Sequence, residues 1–173
     1  MKNLILILLT TLTLSSCDKD EDKPEIEKLP PVTQAGANTF GCLVDGQAFL
    51  PSGGTNPLDC VYQYTKGGYY FALQAGKNDS ANNSLGISIG TIELQIEQNS
   101  TYQLKEQQAG NARGRFYFSA LFNDTSSTYT GELTITKLTN QIVSGTFWFD
   151  VLHPVTGKVV KIREGRFDMQ YTN

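Results

Sequence analysis

From Thr39 onward, apolar residues recur at every second position, and turn residues interrupt them about every eight to twelve residues. Thr39 to Val44 and Gln47 to Leu50 read as strands joined by Asp45-Gly46, the strongest two-residue hairpin signal. Further strands are predicted at Cys60 to Tyr64, at Tyr69 to Ala75 after the Lys66-Gly67-Gly68 turn, and at Leu85 to Ile96 with a break near Gly90. A weak one is expected at Thr101 to Leu104. The second half reads as a four-strand meander. Arg113 to Phe122 carries Phe116, Phe118, Ala120 and Phe122 on one face, and Tyr129 to Leu138 turns Leu133 and Ile135 inward. Ile142 to Leu152 does the same with Val143, Phe147, Phe149 and Val151. In Lys158 to Tyr171, Val160 and Ile162 have the opposite parity to Phe167, Met169 and Tyr171, so an extra residue must intervene. A bulge is expected at Glu164-Gly165, with the glycine taking the awkward backbone. The expected fold is all-β: an antiparallel β-sandwich or flattened barrel of about nine strands, since either arrangement hides the sheet edges.

The N-terminus has a different character. Met1-Lys2-Asn3 and the apolar run Leu4 to Leu14 form a secretory signal, because eleven residues are too short to cross a hydrocarbon core of about 30 Å. Leu14-Ser15-Ser16-Cys17 resembles the lipobox of bacterial lipoproteins, in which the cysteine thiol receives the diacylglyceryl group. Asp18 to Lys28 carries six acids and three lysines with almost nothing apolar and is expected to be a solvated tether. Its acidic start resembles the surface-export signal of Bacteroidota lipoproteins. The expected division is signal peptide 1–16, lipidated Cys17 with an acidic and Pro-rich tether over 17–38, and a β-domain over 39–173. The location that follows is the outer membrane, lipid-anchored and surface-exposed, with the periplasmic face as second choice.

Composition narrows the chemistry. The chain has 173 residues, a formal net charge of −3, one His and three Cys. No basic stripe is available for nucleic acid. A zinc site would need nearly every His and Cys present, so neither a metal nor another cofactor is expected. With Cys17 lipidated, Cys42 and Cys60 remain as a candidate disulfide, the alternative being two buried free thiols. Lone His153, beside Pro154, reads as a turn residue. Asp79 and Asp124, in Asn-Asp-Ser and Asn-Asp-Thr turns, are expected to cap backbone groups. Arg166 and Asp168 are expected to alternate outward on a solvated face.

Trp148 is the leading candidate for a binding site. Phe147 and Phe149 own the core face, so Trp148 points outward with Thr146 and Asp150. Aligning the core faces of neighbouring strands places Glu132 on one side and Lys161 on the other, a platform on which a sugar ring can stack. Tyr62, Tyr64, Tyr69 and Tyr70 gather around the Lys66-Gly67-Gly68 turn, and Tyr62 and Tyr64 are carried as further candidate ligand residues.

The stretches Leu29-Pro30-Pro31-Val32-Thr33-Gln34 and Asn38 to Gly46 resemble the opening of a Bacteroidota lipoprotein family of unknown function. Gly131 to Leu138, Ser144-Gly145-Thr146-Phe147 and Gly165-Arg166-Phe167-Asp168 agree with it in the C-terminal half. The resemblance implies an envelope lipoprotein with a compact β-domain and brings no catalytic residues. The expected function is a non-catalytic binding or interaction module for glycan or an envelope protein, held to the membrane through Cys17. The alternatives are a structural accessory subunit of an outer-membrane complex and a carboxylate-based glycan hydrolase.

Overall fold

The structure, a computed structural model, describes residues 23–172, so Cys17 and the signal segment lie outside the described residues. Eleven strands occur among the described residues: β1 (Thr39–Val44), β2 (Gln47–Phe49), β3 (Leu58–Thr65), β4 (Gly68–Asn78), β5 (Ser84–Thr91), β6 (Thr101–Leu104), β7 (Ala112–Phe118), β8 (Leu121–Asp124), β9 (Gly131–Leu138), β10 (Ile142–Leu152) and β11 (Val159–Gln170). They form one hydrogen-bonded sheet in the order β2-β1-β11-β10-β9-β6-β7-β5-β4-β3, with β8 attached to β7. A sandwich would break that path into two sheets. The path is unbroken, so the architecture is a curled half-barrel. One parallel bridge, Val61 with Thr172, ties the end of the β11 segment to β3.

The curl is filled by phenylalanines. Phe71 on β4 meets Phe167 on β11 at 6.0 Å between ring centroids although those strands are far apart in the sheet order. Phe40 stacks on Phe147 at 5.4 Å, and Phe147 lies 6.4 Å from Phe149. These rings reach the interior because glycines face them. A Cβ on Gly165 would sit 2.4 Å from the Phe147 ring, and one on Gly145 would sit 2.8 Å from Phe167. The bulge falls where parity requires it: Phe147 pairs with Gly165, but Phe149 pairs with Ile162. The left-handed residue, however, is Glu164 at φ 54°, not the glycine. Gly165 is needed for ring contact, and Glu164 bears the backbone strain.

The expected four-strand meander is shorter. β9, β10 and β11 are consecutive, but β6 lies between β9 and β7 and runs parallel to β7, so the sheet is mixed. The cause is a two-residue turn at Ser119-Ala120, where Ser119 has φ 54° and Phe118 pairs with Leu121. That hairpin gives some of the β7 edge to β8. It also turns Phe122 out, 47% exposed, instead of placing it in the core with Phe116.

The segment before β1, expected as tether, is laid on the barrel from Glu25 onward. Glu25–Lys28 forms a 3-10 turn, and Glu25 Oε2 accepts the Ala48 N–H at 2.6 Å. Lys77 Nζ donates to the Ala48 carbonyl, so both outward polar groups of this edge residue are satisfied. Residues 33–37 form a strap across β10 and β11, fastened by Asp168. That carboxylate accepts from the hydroxyls of Thr33 and Ser144 at 2.6 and 2.7 Å. It also accepts the N–H groups of Ala35, Gly36 and Ala37 at 2.9, 2.8 and 3.2 Å. The expectation of a solvated Asp168 is therefore corrected: it points outward from the strand, yet the strap leaves it 1% exposed. Burial alone would raise its pKa, but the bonds from Thr33, Ser144, Ala35 and Gly36 outweigh it and hold the carboxyl well below the usual range.

Two outcomes follow for stability. Gly165→Ala should cost about 2 kcal/mol through the Phe147 clash, whereas Glu164→Gly should stay within about 1 kcal/mol of the parent. Urea unfolding distinguishes the two, and a neutral Gly165→Ala would refute the interlock. Asp168→Ala should cost at least ~3 kcal/mol, because it strands buried donors. With the folded pKa depressed, the stabilisation by Asp168 is complete above its unfolded value of about 4 and is lost as pH falls toward the folded one. Stability measured from neutral to acid pH should therefore fall more steeply in the parent than in Asp168→Asn.

Candidate functional site

The outer face of β10 carries Ser144, Thr146, Trp148 and Asp150 at alternate positions, as period two requires. Register then builds rows across the sheet. Trp148 stands opposite Glu132 on β9, and Glu132 opposite Gln103 on β6. In the next row Thr146 stands between Thr134 and Arg166, and Thr134 faces Thr101. In the third, the strap covers Ser144 and Asp168. The middle row is thus the floor of a groove that Trp148 and Val32, the residue before the strap, also line. The cavity volume is about 600 Å³.

The indole is held rigidly. Its Nε1–H donates to Glu132 Oε2 at 3.2 Å, and Gln103 donates to the other carboxylate oxygen at 2.9 Å. The guanidinium of Arg163 lies 5.3 Å from the ring centroid. Arg163 is itself fixed, by Asp150 at 2.6 Å and by the carbonyls of Phe149 and Ile162 at 3.1 and 2.8 Å. Even so, 37% of Trp148 remains exposed. A ring tied at its N–H edge offers a ligand its apolar surface and no donor.

Lys161 does not belong to this site. It pairs with Asp150, two residues further along β10, and the bulge puts Arg163 and Glu164 opposite Trp148. Parity locates the bulge and the outward face, but it does not distinguish registers two residues apart. Tyr62 and Tyr64 also lie elsewhere, on β3 at the end of the sheet path. Tyr62 is a core residue whose hydroxyl accepts the Ile96 N–H at 3.2 Å and whose ring stacks on Tyr69 at 5.6 Å. Tyr64 is 64% exposed with its ring against Tyr69.

Cys42 and Cys60 do not form the candidate disulfide. Both are buried free thiols, on strands that are not neighbours in the sheet. Burial raises both thiol pKa values, that of Cys60 to about 12. Asp79 caps its turn as expected, accepting the N–H groups of Ala81 and Asn83. Asp124 instead grips the Arg115 guanidinium with both oxygens. His153 Nδ1 accepts the N–H of Val155 at 3.1 Å, and its ring packs 4.7 Å from Phe118, so it closes a turn. Arg166 bonds to Glu164 and not to Asp168. No cluster of metal-ligating side chains occurs among the described residues.

Fold and site together define a curled all-β domain with an open aromatic groove on its outer face. The chain belongs to the family described as a domain of unknown function, DUF6252, whose model matches residues 72–169. No curated protein and no solved structure matches it. The family match takes in Glu132, Trp148, Arg163 and Asp168, and leaves out the strap, Cys42, Cys60, Tyr62 and Tyr64.

The thiols give a direct check on the interior. Cys42 and Cys60 should resist an alkylating reagent at mildly alkaline pH in the folded protein and react readily in denaturant. Peptide mass spectrometry reads each site separately, and fast labelling of either in the native state would contradict its burial.

Proposed function

We propose that this is a lipid-anchored domain of the bacterial cell envelope that binds glycan without catalysis, through the groove beside Trp148. One observation carries the reading. The single Trp of the chain is immobilised by Glu132 and Arg163, yet keeps more than a third of its surface open above a floor of threonine hydroxyls. Aromatic stacking with a few fixed polar groups is the chemistry that holds a pyranose ring. Little of the groove needs to be ordered on binding, which favours affinity.

Hydrolysis is the weaker reading. Glu132 and Glu164 both border the groove, but Glu164 is exposed and both oxygens of Glu132 are already engaged. Neither has the dry apolar setting that a general acid uses. An accessory-subunit role draws support from Leu121 and Phe122, 54% and 47% exposed at the β7–β8 hairpin.

The anchor and outer-membrane location rest on the lipobox-like Leu14-Ser15-Ser16-Cys17. Membrane attachment through two or three acyl chains would be firm, at roughly 0.8 kcal/mol per buried methylene. Cys17→Ser should abolish fatty-acid labelling and release the protein from the membrane fraction. Labelling that survives the substitution would remove the anchor. At the groove, Trp148→Ala should weaken polysaccharide binding at least about tenfold with an unchanged circular dichroism spectrum. Unaltered affinity would move the site elsewhere.

A further inference from the structure

We infer that the groove selects an uncharged glycan, read through its hydroxyls and not through a carboxylate, sulfate or amine. This rests on the glycan reading above and specifies its ligand. The charged groups at the rim already hold one another. Arg163 is engaged by Asp150 and by two carbonyls. Arg166 donates to the carbonyl of Glu164 at 3.1 Å and reaches its carboxylate at 3.5 Å. Glu132 accepts from Gln103 and from the indole N–H. A ligand anion must therefore displace a carboxylate from a guanidinium, and the groove's lining sets two carboxylates (Glu132, Glu164) against two guanidiniums (Arg163, Arg166), which leaves no net positive charge to attract it. A ligand amine must compete for oxygens that already accept.

The floor has the opposite character. Thr134 and Thr146 line the groove, and Thr101 continues their row beyond it on β6. The Thr101 and Thr134 hydroxyls lie 2.9 Å apart. The Thr146 hydroxyl makes no hydrogen bond among the described residues. A hydroxyl both donates and accepts, which matches a partner whose groups are themselves hydroxyls. The indole beside this floor supplies the apolar contact for the ring C–H groups of the sugar.

The test uses the full chain in a sugar-free detergent and follows Trp148 emission. The panel comprises neutral β-glucan, galactan and mannan, acidic polygalacturonate and chondroitin sulfate, and cationic chitosan. The expected result is saturable binding of at least one neutral polymer. Its Kd should change less than about twofold between low salt and about 0.5 M salt, since no ion pair is formed. Thr146→Val, which keeps shape and removes the free hydroxyl, should weaken that binding about fivefold at an unchanged thermal midpoint. Glu164→Gln, which removes one rim carboxylate but leaves the Arg166 bond to the 164 carbonyl in place, should raise polygalacturonate binding above that of the parent. Binding confined to acidic polymers or chitosan, and collapsing in salt, would overturn the inference while leaving a glycan module in place. A folded chain that binds no polymer of any class removes both the inference and the reading beneath it.

Discussion

The Asp168 carboxylate collects two hydroxyls and three consecutive backbone N–H groups in a setting from which the strap excludes water. Much else depends on that cluster. A carboxylate in this position tolerates burial only because its lone pairs are occupied, and the N–H groups of 35–37 would be orphaned without it. The strap in turn fixes the approach to β1, where Asn38 accepts the Gln170 N–H and Thr39 pairs with Asp168 itself. It also holds the chain just after Val32, which lines the groove with Trp148, so the bond that fastens the strap sets one wall of the groove.

The other wall is set from inside the barrel. Phe147 and Phe149 flank Trp148 in sequence: the Phe147 ring lies on Gly165 of β11, the Phe149 ring crosses the curl to Gly114 of β7, and Gly131 of β9 lets the backbone at Trp148 and Phe149 come close. The outward direction of the indole is therefore a consequence of core packing. The bulge at Glu164 then brings Arg163 over the ring. One extra residue in β11 joins the two halves of the design: it reconciles the parity of the core residues and supplies the cation that steadies the platform. Strain in the backbone of Glu164 is confined to the groove rim, a common place for left-handed non-glycine residues to be retained.

Much of this is legible in the chain. Alternation locates nearly every strand, the parity conflict within Lys158 to Tyr171 locates the bulge, and facing Phe147 and Phe149 inward puts Trp148 outside with Glu132 beside it. The failures share a cause. Ser119-Ala120 carries none of the glycine or asparagine chemistry that announces a two-residue turn, so β7 and β8 read as one strand and the insertion of β6 stays hidden. Asp168 has the position of a surface residue and is buried only because a segment more than 130 residues away in sequence crosses it. Matching core faces leaves the register free to slip by two residues, and that slip sets Lys161 in place of Arg163 beside Trp148. Local pattern reports which face a side chain takes. It is silent on what later covers that face.

The strap also has a mechanical consequence. Tension applied from the N-terminal side first meets the Glu25 bond to Ala48 and the buried Leu29, and only then reaches 33–37, where several bonds converge on the two oxygens of Asp168. Such bonds share a load, whereas the rungs of a peeled hairpin break in succession. The load enters β11, which has a hydrogen-bonded neighbour on each side, β1 and β10, so no free edge is offered for unravelling. Once the contacts at Glu25 and Leu29 have given, Val32 lies next along the line of pull, so the groove it lines with Trp148 changes shape before the Asp168 cluster yields.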